Sequence, residues 1–345
     1  MDRPRLLIVA DDLTGALDAA APFAARGLAT VVARHPGAVA GLPAGAEVVA
    51  VSTASREGSV GAALSAVAEV VAAGLRPAQV FKKVDSRLKG HVGAETAALA
   101  RAFGYETALA CPAVPQLGRT VEGGAVVGAG VDRPIPVAAA FDGHGLKVAV
   151  RDAPTQDALA AIAAETGDTD ELMIGAAGLA LALAESMTGT AARTPAYDAP
   201  LLFAIGSRDP VTTAQVARLL ARLGDTGAPA SLMRQPADGG TGPRESGARF
   251  AADVAAAIAA TAPATLLACG GETANAILAA LRIDTLTVSG EALPGVPLAQ
   301  AGAFTLLTKS GGFGGPDLLA DVLRNVWVSR HPACAGATAQ GPAPE

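Results

Sequence analysis

Short apolar runs alternate along the chain with polar, glycine-bearing turns and then alanine-rich stretches, a rhythm that predicts an α/β protein with parallel sheets. In the first half the runs Leu6 to Ala10, Thr30 to Ala33, Glu47 to Val51, Val80 to Val84 and Thr107 to Cys111 predict five strands with helices between them. Thr14 is placed to cap the first helix and Gly27 to stop it, while Ser59 to Ala73 forms a second helix ending at Gly74. From Gly118 to about Lys147 the rhythm gives way to Gly, Pro and short hydrophobic pieces, which predicts an irregular or β-rich segment. Helices over Thr155 to Ala164 and around Leu179 to Met187 follow.

Thr188 to Pro200 has no periodicity, and a fresh strand, Leu201 to Ile205, begins after it, so the domain boundary falls there. The expected division is residues 1–198, residues 199–330 and a mobile tail over 331–345. The second half offers three strand-loop-helix units, Leu201 to Ala221, Thr265 to Leu281 and Phe304 to Val326, each with a glycine in its loop. The fold class is therefore α/β in two domains, each with a mainly parallel sheet flanked by helices.

Composition narrows this picture. A chain of 345 residues suits about two domains of ~150 residues. Hydrophobic residues make up 51%, but the longest apolar run, Val254 to Cys269, is broken by Pro263 and shorter than the ~20 residues of a membrane span. Leu6 to Ala10 is too short for a secretory signal, so a cytoplasmic address and no membrane partner are expected. The balance of 26 basic against 32 acidic residues gives a net charge of -6 with no basic block, which argues against nucleic acid. Leu and Ala on the helices read as core and leave a homodimer open.

The three cysteines are widely spaced and the four histidines show no HxxxH or HExxH spacing, so reduced thiols and no bound structural metal are expected. There is no GxSxG elbow and no GxxxxGK[ST] loop, and no GxGxxG follows the first strand. These absences exclude a triad hydrolase and a Walker-type NTPase, and leave a dinucleotide oxidoreductase only fold analogy to rest on.

Ligands of open parallel sheets bind beyond the carboxyl ends of strands, so the residues just after each predicted strand carry the candidate chemistry. Asp11 and Asp12 can serve as a general base beside a hydroxyl acceptor, or as helix-capping acids. Lys82, Lys83, Asp85, Arg87 and Lys89 concentrate cations at a strand-to-helix junction where an anion can be held. Gly270-Gly271-Glu272-Thr273 and Gly311 to Gly315 each follow an apolar strand and are expected to open a helix, the arrangement of an anion cradle; Ser207 stands at a third strand end. Lys309, just before the second loop, is placed to reach a phosphate.

Five segments in order resemble the four-carbon acid sugar kinases, which phosphorylate tetronates such as erythronate, threonate or 3-oxo-tetronates with ATP. They are IVADDLTGALDAA (residues 8–20), KKVDSRLKGHVG (82–93), CPAVPQLGRTV (111–121), GGETANAIL (270–278) and TKSGGFGGPDLL (308–319). The resemblance implies a sugar-acid-binding N-terminal domain, an ATP-binding C-terminal domain and an active site in the cleft between them, with Mg²⁺ on the phosphates. Carried over by position, Asp11, Asp12, Lys83, Asp85 and Arg119 contact the sugar acid, with Arg87 and Lys89 in the same anion pocket. Ser207, Gly270, Gly271, Glu272, Thr273 and Gly312 surround ATP, joined by Lys309 and Gly311, and the proton acceptor falls to Asp11 or Asp12. Arg87, Lys89 and His91 stand where the family usually has threonine, arginine and asparagine. The segment after Gly130 is also shorter than the family's. That shortening suggests a second function, a weakened homologue that binds ATP or sugar acid as a sensor.

Overall fold

Strand β1 (Leu6–Ala10) is buried along its whole length, as a continuous apolar run must be when both faces of a parallel sheet are covered. The computed structural model describes residues 3–165, 170–223, 229–236 and 242–330, so the expected tail lies outside the described residues. After β1 come α1 (Leu13–Ala25), β2 (Thr30–Ala33), β3 (Val48–Ser52), α2 (Val60–Ala72), β4 (Gln79–Lys83), α3 (Val92–Phe103) and β5 (Thr107–Cys111). The glycine- and proline-rich middle is β-rich: β6 (Arg119–Glu122), β7 (Ala125–Gly128) and β8 (Ile135–Pro136) form a small antiparallel sheet, and β9 (Lys147–Val150) joins the edge of the main one. Next come α4 (Gln156–Glu165), β10 (Glu171–Gly175) and α5 (Ala177–Thr188). The second half runs β11 (Leu201–Ile205), α6 (Pro210–Arg222), β12 (Ala230–Arg234), α7 (Pro243–Thr261), β13 (Thr265–Cys269), α8 (Gly271–Ala280), β14 (Thr285–Leu293), β15 (Val296–Ala301), β16 (Phe304–Lys309) and α9 (Leu318–Arg330).

Three sequence expectations change. Asp12, not Thr14, caps α1: its backbone is extended and its carboxylate accepts the Gly15 amide at 3.0 Å. The loop Gly311 to Gly315 does not open directly into a helix, because its glycines and Pro316 hold the chain in turns until Leu318. The two separate sheets expected are instead one continuous sheet of 13 strands, in the order β12-β11-β13-β16-β15-β14-β2-β3-β1-β4-β10-β5-β9. The join is antiparallel, pairing Thr285 to Val288 of β14 with Ala33 to Thr30 of β2.

This join determines where the two halves meet. Strands β14, β15 and β16 are successively antiparallel, so the parallel strands of the second half run opposite to those of the first. Six steps separate β13 from β1 in the sheet order, and at roughly 20–25° of twist per step they accumulate a rotation of about 120–150°. Twist of that size carries the carboxyl ends of β11, β13 and β16 round toward those of β1, β3 and β4. The contact is direct: a Cβ built on Gly271 would lie 3.0 Å from Thr14 Oγ1 and 3.2 Å from Asp12 Oδ2. Tyr197 ties the linker to the second half, its hydroxyl donating to the Val322 carbonyl at 2.8 Å.

Beneath the first half's strand ends lies a buried polar network. Adjacent residues on a strand face opposite ways, so of the pair on β4 Lys82 turns into the core and Lys83 toward the solvent cleft. Lys82 Nζ sits 2.8 Å from Glu95 Oε2, both side chains 1% exposed, in an ion pair whose angles fall short of a hydrogen bond. Glu95 also accepts from Ser55, which exchanges a hydrogen bond with Thr53 at 2.7 Å. Breaking such a pair from one side leaves a buried charge. Glu95→Ala is therefore expected to cost about 3–5 kcal/mol in urea titration, whereas Lys82→Met with Glu95→Leu, which removes both charges, should lose much less.

Candidate active site

The two halves enclose a cavity of about 710 Å³ lined by Asp12, Thr14, Gly15, Asp18, Arg56, Lys83, Asp85, Arg87 and Arg119 from the first half. Glu291, Gly295, Ser310, Gly312 and Phe313 line it from the second. The net charge of the chain is negative, yet the first-half wall of this cavity is rich in cations.

Arg56, which the sequence reading did not single out, organises the acidic end. Its Nε and Nη2 donate to the two oxygens of Asp11 at 2.9 and 2.6 Å, and Nη2 also reaches Asp12 at 2.8 Å. Burial pushes the Asp11 carboxyl upward, but the hydrogen bonds from Arg56 and the charges of Lys82, Arg56 and Lys83 outweigh it and hold the group below the usual carboxylate range. Asp11 is 2% exposed and does not line the cavity, so it anchors Arg56 where the sequence reading gave it substrate contact. Asp12 does reach the cavity, with its carboxylate accepting from Gly15, Thr14 and Arg56. Gly15 must lack a side chain here, since a Cβ would meet Asp12 Oδ1 at 2.5 Å and Lys83 Nζ at 3.3 Å.

The cationic wall comes from β4, β6 and the loop after β4. Lys83 Nζ donates to the Val84 carbonyl at 2.9 Å. Arg119 donates to Ser86 Oγ at 2.6 Å and to the Ala129 carbonyl at 2.7 Å, while Arg87 reaches the Gly130 carbonyl at 3.4 Å. The Arg119 guanidinium is pushed down by burial and then by the Arg87 charge, with Asp85 acting the other way. Two guanidiniums thus face the cavity, held by carbonyls of one turn, with no ion-pair partner among the described residues. Lys89 lies elsewhere, in a shallower surface depression shared with Arg87, Asp132 and Arg133.

On the other wall three loops interlock at the ends of adjacent parallel strands. The Gly206 and Ser207 amides point to the Cys269 carbonyl, and the Gly270 amide donates to Lys309 O at 2.8 Å. Gly270, at φ +106, starts α8. Gly311 abuts Ser207 so closely that a Cβ would collide with its hydroxyl, and a Cβ on Gly312 would lie 3.0 Å from Asp209 Oδ2. Ser207, Gly270, Gly271, Glu272, Thr273 and Gly311 are thus gathered at one edge; none of the six lines the cavity itself, which this edge meets through Gly312, while Gly271 abuts Asp12 and Thr14. Lys309 is not free to reach a phosphate: it is 1% exposed, and its ammonium donates to the Ser310 and Gly311 carbonyls at 2.9 and 2.8 Å. Burial pushes its pKa down, and its place is behind the glycine loop, fixing it. Cys111 and Cys269 are free buried thiols, raised by burial, Cys111 to about 11. Among the described residues no group of three or more His, Cys, Asp or Glu could hold a metal, and no helix is long and apolar enough to cross a membrane.

Two family models match the chain, one in each half. Residues 6–138 match a family described as a sugar-binding N-terminal domain, and residues 233–319 one described as a nucleotide-binding C-terminal domain. The chain is thus of the class that joins a sugar-binding half to a nucleotide-binding half. It is 31% identical to a D-threonate kinase of Bordetella bronchiseptica over 92% of this chain and 96% of that one. It is 29% identical to a D-threonate kinase of Cupriavidus necator (95% and 99%) and to a 3-oxo-tetronate kinase of the same organism (94% and 98%). The chain belongs to the four-carbon acid sugar kinase family.

These alignments run over 402 to 422 positions, more than the 345 residues of this chain, so the relatives carry internal segments that it lacks. A crystal structure from Salmonella typhimurium LT2 superposes with a TM-score of 0.72 at 20% identity, covering 92% of this chain and 98% of that one. One from Haemophilus influenzae gives 0.68 at 21%, covering 93% and 100%. At those identities the likeness concerns the fold alone.

Proposed function

We propose that this protein is an ATP-dependent kinase that transfers the γ-phosphoryl group to a hydroxyl of a four-carbon acid sugar, a tetronate such as erythronate, threonate or a 3-oxo-tetronate. The observation that carries the reading is the approach of the α8 glycine turn to Asp12 and Thr14 at the head of the cation-lined cavity. An anion held at the N-terminus of α8 by backbone amides and the helix dipole is thereby next to an acid held by Lys83, Arg87 and Arg119. Transfer between two groups bound in one cavity draws most of its acceleration from positioning and electrostatics.

Asp12, on the seam between the two, fits Mg²⁺, which takes one or two carboxylates plus phosphate oxygens and not an all-protein cage. When bound, Mg²⁺ supplies neutralisation of the phosphate charge. Arg56 orients Asp12 for that role, and Lys309 keeps the Gly311-Gly312 turn in place from behind.

An ADP-release assay over a panel of four-carbon acid sugars with ATP and Mg²⁺ tests the reading; a flat response to every acid contradicts it, and binding of both ligands without product would favour the sensor. Charge-assisted hydrogen bonds contribute about 1.5–3 kcal/mol, so Arg119→Ala is expected to raise the KM for the acid by roughly 10- to 150-fold while leaving the KM for ATP within a few-fold.

A further inference from the structure

Five carboxylates line the cavity, and four of them are occupied. Asp12 takes three donors, Asp85 accepts the Arg87 amide at 2.9 Å, Glu185 pairs with Arg26 at 2.7 Å, and Glu291 accepts the Gly295 amide at 3.3 Å. Asp18 has no hydrogen-bond donor and no ion-pair partner among the described residues, and it opens on the same cavity. It stands one turn beyond Thr14 on the α1 face that also presents Gly15, Pro22 and Arg26 to the cavity, about 6 Å along the axis from the residue that touches the nucleotide loop.

We propose that Asp18, and neither Asp11 nor Asp12, is the catalytic base that takes the proton from the acceptor hydroxyl. The inference rests on the kinase reading above. Both oxygens of Asp11 are clamped by Arg56, which stabilises the charged form and makes it a poor proton acceptor, and the Asp12 carboxylate is already engaged by Arg56, the Gly15 amide and the Thr14 hydroxyl. An unpartnered carboxylate in an otherwise apolar helix does nothing for the fold. Its desolvation is a stability cost, the mark of a group kept for chemistry.

The charged groups facing it are Lys83 on β4, Asp12 and Arg56 above it, and Glu291 on β14. Burial, the largest influence, with Asp12 and Glu291, outweighs the cations and raises the carboxyl to about 7, where a general base works best near neutral pH. In the step the substrate O–H bond breaks and its proton passes to an Asp18 oxygen. The hydroxyl oxygen bonds to the γ-phosphorus of ATP as the bond to the bridging β,γ-oxygen breaks. ADP leaves with that electron pair, and Asp18 returns its proton to solvent when product departs.

Asp18→Asn tests the assignment beside wild type. The expected result is a fall in kcat of about 10²- to 10⁴-fold with the KM for the acid within a few-fold. The acid limb of kcat/KM, near pH 7 in wild type, should be lost. With the folded-state pKa raised from 3.8 to about 7, stability is lost as the pH rises between those two values and the full cost remains above them, so Asp18→Asn should melt at or above the wild-type temperature at pH 8. A kcat within about fivefold of wild type, a surviving acid limb, or a lower melting temperature at pH 8 would each overturn the proposal. Wild type inactive on every acid defeats instead the kinase reading; wild type active alongside a fully active Asp18→Asn defeats only the base.

Discussion

Arg56→Met is expected to destabilise the protein by about 3–5 kcal/mol and to abolish phosphoryl transfer. Arg56 is the donor that makes the buried Asp11 carboxylate tolerable: the pair meets at 2.6 and 2.9 Å, with side-chain exposures of 19% and 2%. Removing one member of such a pair leaves an uncompensated buried charge. The pH dependence should change sign. In wild type the Asp11 carboxyl is held below its ordinary value of 3.8, so its contribution is present above that value and is lost as the pH falls through the folded pKa. In Arg56→Met burial dominates and the folded pKa rises above the unfolded one, so the deficit measured by urea unfolding should be larger at pH 7 than at pH 5. A loss under 1 kcal/mol would mean that Lys82 and Lys83 suffice to hold Asp11. Transfer fails as well, because Asp12 loses the same guanidinium and with it one of its three donors.

Gly206→Ala is expected to raise the KM for ATP by roughly 10- to 100-fold and to cost about 1–3 kcal/mol, the usual range for overpacking. The added Cβ would lie 1.9 Å from Thr273 Oγ1 and 2.9 Å from Thr273 Cβ. Rotating the branched threonine side chain exchanges one clash for another, since Cγ2 is also 3.0 Å away. The turn after β11 must then separate from the first turn of α8, and these two turns cradle the proposed phosphate. Thr273→Ala in the same chain removes two of the three clashing atoms and should recover part of the ATP affinity. Two independent, additive losses would show that the turns do not act as one cradle.

Strands buried on both faces were the most legible part of the fold, because β1, β2, β3, β5, β11 and β13 are mainly apolar runs ended by polar turns, and β4 and β16 keep an apolar core before their terminal lysines. The hairpin of β14 and β15 escaped because it is interrupted by register shifts around Gly290 and Leu293. Its pairing to β2, which fuses the two sheets, depends on a partner more than 250 residues away and leaves no local mark. The short strand β12, exposed or half-buried throughout, carries little apolar signal.

The glycine loops could be read from the sequence because close backbone approach admits few other residues. The cation run was only partly legible: the period-2 rule on β4 already separates Lys82 from Lys83, and Lys89 falls outside the cavity. Arg56 had one signal, its position in the loop after β3. Asp18 had another, a lone charge within the apolar helix LTGALDAAAPFAA. Burial beneath the loop, which distinguishes Lys309 from a surface lysine, exists only in three dimensions.

The most direct test of the account is phosphorus NMR of the wild-type protein with ATP, Mg²⁺ and each four-carbon acid sugar in turn. The account expects at least one acid to yield a new phosphomonoester resonance in step with ADP. Its absence with every acid, with the protein folded and ATP bound, would contradict it.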